Sequence, residues 1–216
     1  MMDMETIYEK MTELLEKGDK EGAVRYSLEL VDNDSLSIKD LYINILTPAL
    51  NSITCNEHED PAACIWKEHV SSSIARTIVE NCYLRVLNAR NEDAIHREDT
   101  AIVLCPPKEQ HELGARMVAD FFTLAGFHTL FVGRDTPKKS FLSAIDILKP
   151  KYLIISITNK YNVFHAQRVI GEIREHATHD VTIMVGGGAL KDTPELYRTM
   201  GADIFLEDVE MISNLP

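Results

Sequence analysis

Three short polar stretches each follow an apolar run, and their residue types suit the holding of a ligand. Glu109-Gln110-His111-Glu112-Leu113-Gly114 follows Thr100–Cys105. Ser156-Ile157-Thr158 closes a run that begins at Tyr152, and Gly186-Gly187-Gly188 follows Val181–Val185. A neutral imidazole is a good ligand for a transition metal. A carboxylate two residues away can accept the hydrogen of the other ring nitrogen, which orients the ring and raises its basicity. Glycine admits a ligand where a side chain would fill the space. Taken alone, His111 reads equally as a solvated loop histidine, Ser156 and Thr158 as strand-end hydroxyls, and the glycines as an ordinary turn.

The surrounding elements give these residues a common address. Leu113, Met117, Val118, Phe121, Phe122 and Ala125 recur at helical spacing, with Gly126 as the stop. Strands are expected near 100–105, 128–133, 151–158, 181–186 and 203–206, with helical patterns between them. Such alternation implies a parallel sheet covered on both faces. Five units suit a flavodoxin-like doubly wound sheet of order 2-1-3-4-5, whose switch point lies between strands 1 and 3. His111 and Ser156 follow those two strands.

Residues 1–92 read differently. Ile7, Met11, Leu14 and Leu15 mark one helix face; Val24, Leu28 and Val31 mark a second. Ser37 stands at an N-cap position with Asp40 three residues on, ahead of Leu41, Ile45 and Leu46. Pro48 is expected to kink this third helix. A long fourth helix spans about 62–88, with Val70, Ile74 and Ile78 in the core and His69, Ser72 or Ser73, and Arg76 along another face. Trp66 is expected in the core. The reading is a four-helix bundle, followed by the polar linker 91–99 and an α/β domain over 98–216.

Composition narrows the function. The 216 residues carry a formal charge of −12, with 45% hydrophobic and 26% charged residues, which is ordinary for a globular chain and unsuited to gripping phosphate backbones. No basic helix or zinc-finger spacing is seen, so nucleic acid is not an expected partner. The acidic start lacks the features of a signal peptide, and no apolar run is long enough to cross a bilayer. Cys55, Cys64, Cys82 and Cys105 match no metal-ligand spacing and are expected as reduced thiols in a cytoplasmic protein. The loop after the first strand lacks the glycine-rich turn of a dinucleotide enzyme, and no nucleophile elbow is present. A receiver domain would need acids where Cys105 and Thr158 stand.

In order and spacing, acid-x-His-x-x-Gly, Ser-x-Thr and Gly-Gly resemble the cobalamin-binding domain family, which includes the corrinoid domain of methionine synthase, corrinoid methyl carriers and light-sensing repressors. With its helical module, the resemblance covers about the whole chain. It implies base-off cobalamin with His111 as the lower ligand to cobalt, oriented by Glu109, where methionine synthase and its relatives have aspartate. It implies further that Glu112 belongs to the binding loop, and that Gly114, Ser156, Thr158, Gly186 and Gly187 line the groove for the nucleotide tail. Glu68 and His69 resemble a pair that the sensor branch places at the upper face of the corrin, beneath a helical cap. That branch's tryptophan position is occupied here by His58. The function implied is a sensor or cofactor-handling module, or else a corrinoid protein carrying a methyl group between methyltransferases; a domain that has lost its cofactor is a third reading. A partner protein and self-association are compatible with each, and independent enzymatic activity is not implied.

Overall fold

The computed structural model describes residues 3–53, 60–90 and 99–216. The chain forms two compact units, residues 1–88 and 89–216. Most of the expected linker, and His58 with it, lies outside the described residues.

In the first unit, side-chain caps set where helices begin. Asp3 accepts from the Glu5 and Thr6 N–H groups at the start of α1 (Met4–Glu16). Asp19 accepts from Gly22 N–H at the start of α2 (Lys20–Asp32), 2.9 Å away. Ser37 Oγ accepts from Asp40 N–H at 3.0 Å, as the capping pattern predicts. These contacts satisfy N–H groups that have no partner within the helix.

The third helical segment begins as α3 (Ile38–Asp40), widens into a π-helical stretch over Leu41–Leu46 and continues as α4 (Thr47–Ser52). Thr47 N–H reaches back to Tyr42 O, and the Thr47 hydroxyl meets the same carbonyl at 2.8 Å. The wider turn lets the helix continue through Pro48, which has no N–H to donate and whose ring would crowd the carbonyl four residues back. Leu41, Tyr42, Ile45 and Leu46 are buried.

Two expectations for the bundle need correction. In α2 the buried seam is Ala23, Ser27 and Leu30, one position away from the expected Val24, Leu28 and Val31, which are half-buried. Ser27 enters the core because its hydroxyl donates to Ala23 O at 2.8 Å. In α5 (Pro61–Asn88) the buried seam is Ser71, Ile74, Ala75, Ile78, Val79, Cys82 and Val86. Trp66 lies on the opposite side of the helix and is 66% exposed, so it is not a core residue. Arg85 joins α5 to α2 through two 2.6 Å bonds to the Asp32 carboxylate. Cys82 and Cys105 are buried free thiols, whereas Cys64 is disulfide-bonded, so the four cysteines are not all reduced.

The second unit is a five-stranded parallel sheet of order β2-β1-β3-β4-β5, the order expected from the alternating pattern. Its strands are β1 (Thr100–Leu104), β2 (His128–Gly133), β3 (Tyr152–Ser156), β4 (Thr182–Gly186) and β5 (Ile204–Phe205). All of β3 is buried, which is why it reads as a continuous apolar run and not as an alternating one. Ile102, Leu104, Leu153 and Ile155 share a core with Phe141 and Ile145 of α7 (Lys138–Leu148) and with Val169, Ile170 and Ile173 of α8 (Val163–His176). Burying one such side chain contributes roughly 1.5–3 kcal/mol. Phe122, on α6 (Leu113–Leu124), packs its ring 5.4 Å from Phe127 and 6.5 Å from Tyr152. Among the described residues, no helix is long and apolar enough to cross a membrane.

Strand register brings the site residues to one edge. Ser156 pairs with Gly186 across β3 and β4, and Ile157 N–H donates to Gly186 O at 2.8 Å. Gly187 has φ +102°, and a Cβ built there would lie 2.4 Å from Ile157 O. The chain's own backbone therefore demands glycine at this position. Gly187→Ala is expected to lower the stability of the protein by about 1–3 kcal/mol from backbone conformation alone, with the clash adding to it. The midpoint of urea unfolding checks this.

Candidate functional site

The loop after β1 is held on both sides before it reaches His111. Cys105 N–H donates to Gly133 O at 2.9 Å, and Glu109 N–H to Pro106 O at 3.0 Å. Lys108 takes a left-handed conformation, φ 70°, which is uncommon for a residue with a side chain. Its N–H donates to Asp135 Oδ1 at 2.7 Å, and Asp135 N–H donates to Glu109 O at 3.0 Å. The loops after β1 and β2 thus clamp each other.

Glu109 follows, with its side chain 0% exposed. Oε1 accepts from His111 N–H at 3.1 Å and from the His111 ring at Nδ1, 2.6 Å away. Oε2 accepts from Thr158 N–H at 3.0 Å, Asn159 N–H at 2.9 Å and the Asn162 amide at 3.0 Å. Burial favours the neutral acid, but the bonds from Asn159, Asn162 and His111 outweigh it and hold the carboxyl below its ordinary value. An ionised carboxylate only accepts, so in the neutral ring the proton sits on Nδ1 and Nε2 keeps a lone pair. The imidazole is 53% exposed.

Cys105 is beside this pair, its Sγ 3.6 Å from His111 O. Burial, and then the charges of Glu109 and Glu112, push its thiol up to about 12. At neutral pH it is a neutral thiol and offers no thiolate to compete with the imidazole. Among the described residues, no group of three or more His, Cys, Asp or Glu is arranged to hold a metal ion.

The remaining expected residues divide by what they touch. Thr158 joins the site through its backbone, while its side chain is exposed. Ser156 is buried at the end of β3 and is not among the partners of Glu109. Gly114 meets nothing within 4 Å where a Cβ would stand, so there is room for a ligand beside the start of α6. At Gly186 a Cβ would lie 3.2 Å from Leu206 O, and Gly187 faces the backbone of Ile157. The chain's own packing thus accounts for these two glycines, where the sequence suggested ligand volume. Glu112 accepts from Arg134 N–H at 3.0 Å and so ties down the loop after β2. Glu68 and His69 are exposed on α5, in the other unit.

Asn159, Asn162 and Asp135 were missed by the sequence reading. Asn159 has a local signal, an asparagine opening a turn after a strand. Nothing in the spacing shows that Asn162 returns to a carboxylate 53 positions earlier.

Every partner of Glu109 is a donor. In Glu109→Gln the amide nitrogen must therefore face donors at one end, and the expected cost is about 1–3 kcal/mol. The folded-state pKa of Glu109 is lowered, so its stabilisation is complete above the unfolded value of about 4.3 and is lost as pH falls through the lower folded value. Acid titration of the cofactor-free protein is expected to show this loss in the parent and a flatter profile in Glu109→Gln. Identical midpoints at every pH would contradict the assignment.

Residues 100–215 match the B12 binding domain family. The chain is 30% identical over 98 residues to the trimethylamine corrinoid protein of Methanosarcina barkeri, covering 45% of this chain and 44% of that one. Trimethylamine corrinoid protein 2 of Methanosarcina mazei gives the same identity and coverage. The matches thus span less than half the length of these curated relatives. The structure of the Methanosarcina barkeri monomethylamine corrinoid protein superposes with a TM-score of 0.78 at 16% identity, over 98% of this chain and 97% of that one, which shows a shared fold. The family match takes in more than half of the chain and contains the Glu109–His111 pair: the protein belongs to the B12 binding domain family, and cobalamin is its cofactor.

Proposed function

We propose that this chain is a corrinoid protein that carries a methyl group between methyltransferases, holding cobalamin base-off with His111 as the lower ligand. One observation carries the ligand assignment: the 2.6 Å bond from Nδ1 to Glu109, which leaves Nε2 free to bind cobalt. When bound, the cobalt supplies the chemistry of accepting and surrendering a methyl group. His111 Nε2 would supply a nitrogen to the cobalt, and Glu109 would hold the ring in orientation. Likeness to methylamine corrinoid proteins favours a carrier, and the partners proposed with it are methyltransferases in the cytoplasm.

A sensor or cofactor-handling module is the second reading, supported by the adjacent Glu68 and His69 on α5. On the family resemblance we propose that this pair influences the bound cofactor. Replacing both by alanine should change the upper-ligand spectrum and leave affinity largely intact; an unchanged spectrum returns them to a solvated helix face. Protein loaded with methylcobalamin should lose its methyl group to a thiol or to an added methyltransferase. Failure of that transfer, with a lasting light-driven change of the adenosylcobalamin form, would favour the sensor.

The lower ligand has its own test. In the Co(II) form, one axial nitrogen splits each cobalt line of the electron paramagnetic resonance spectrum into three. His111→Ala should lose that triplet while affinity falls less, because contacts to the tail do not depend on the ring. A triplet that persists unchanged removes His111 from the assignment. Gly114→Leu should weaken cobalamin binding while the cofactor-free protein keeps its stability, since nothing lies within 4 Å of the site of the added carbon.

A further inference from the structure

We propose that Lys108 contacts the cofactor, its ammonium donating a hydrogen bond to an oxygen of the bound corrinoid. The inference rests on the reading of His111 as the lower ligand, since Lys108 stands three residues before it in the same loop. The backbone of Lys108 carries a cost that its local structure does not explain. Among the described residues, four other than glycine have a positive φ: Asp34, Lys108, Asp135 and Lys149. Aspartate tolerates the left-handed region better than most side chains. Lys149 closes α7, donating its N–H to Ile145 O at 2.9 Å, and a left-handed residue is an ordinary helix ending. Lys108, at φ 70°, has neither reason.

The loop needs the conformation but not the lysine. Asp135 accepts from the Lys108 N–H at 2.7 Å, and the Asn162 amide donates to the Lys108 carbonyl at 3.3 Å, so neighbouring loops fix this backbone. Glycine would adopt it without steric cost. What lysine adds is its side chain. That side chain is exposed, as are those of Gln110 and His111, and among the described residues its ammonium has no hydrogen bond or ion pair. None of the acids in the clamp pairs with it. Glu109 is buried among its own donors, Asp135 accepts from the Lys108 backbone, and Glu112 accepts from Arg134 N–H. Lys160, on the turn after β3, is by contrast paired with Asp192 at 2.8 Å. Strain of this kind persists where a binding site makes use of it.

An ammonium has three hydrogens and no lone pair, so the group it recognises must be an acceptor. Cobalamin presents two kinds, the amide carbonyls around the corrin and the phosphodiester of the nucleotide tail. Either would complete a charge-assisted hydrogen bond. From a partly exposed donor, the loss of such a bond should weaken binding about tenfold.

The test measures cobalamin affinity of the full chain by calorimetry in Lys108→Met, Lys108→Gly and Lys149→Gly. Methionine keeps a long unbranched side chain and the strained backbone but removes the charge. Glycine removes both charge and strain, and Lys149→Gly makes the same exchange at the left-handed lysine that ends α7. Both Lys108 variants should bind about tenfold more weakly, with Lys108→Gly at least as resistant to urea as the parent, while Lys149→Gly binds as the parent does. Parent-like affinity in Lys108→Met would overturn the proposal, whatever the glycine variant does, because the ammonium would then be dispensable. Repeating the comparison of parent and Lys108→Met with cobinamide, which lacks the nucleotide tail, identifies the acceptor. A difference that persists assigns the amide carbonyls, and one that vanishes assigns the phosphodiester. The Co(II) triplet should be the same in Lys108→Met as in the parent. A parent protein without a triplet would instead overturn the histidine-ligand reading, and the affinity comparison would still decide the role of Lys108.

Discussion

A carboxylate that is wholly buried and still ionised is costly unless every lone pair is used, and Glu109 meets that condition with five donors. The donors come from two places: the histidine loop itself and the turn that leaves β3. One side chain therefore joins the ends of the two strands that flank the switch point of the sheet. The rest of the loop conforms to it, including the left-handed Lys108 and the crossed bonds with Asp135.

The parallel sheet makes this convergence possible. In a doubly wound sheet the loops after adjacent strands emerge side by side at the carboxyl edge. Here β1 lies between β2 and β3, so the histidine loop can be clamped by the loop after β2 and tied to the turn after β3 at once. Gly187 extends the same edge, because its backbone runs against Ile157 with no space for a side chain. The imidazole is half-exposed, yet the carboxylate that orients it is not. That separation suits a ligand that must reach a bound cofactor while its support stays shielded from water.

Much of the chain was legible from short-range pattern. Apolar runs bounded by turns located all five strands to within two residues at either end, because a sheet covered on both faces leaves few polar residues in its strands. Ile7, Met11, Leu14 and Leu15 were legible as the buried face of α1 for a similar reason. The pattern failed where a polar residue entered the core with its own bond, as Ser27 does in α2. It failed again at Trp66, whose apolar character says nothing about which side of α5 meets its neighbours. Pro48 was read correctly as a disturbance, but its resolution as a π-helical turn depends on a bond from Thr47 to Tyr42 that composition does not announce.

At the site, the residue types alone determined that a histidine, an acid and small residues stand after the first, third and fourth strands, and their spacing carried the family. Only the tertiary structure decided which of them touch. Thr158 contributes a backbone N–H, Glu112 turns away to Arg134, Gly187 answers to the chain's own backbone, and Asn162 enters from outside the motif. The reason is physical. Sequence periodicity reports which face of an element is apolar, whereas hydrogen bonds between loops depend on strand order and on the direction of individual donors. Those are settled only when distant segments come within about 3 Å of each other.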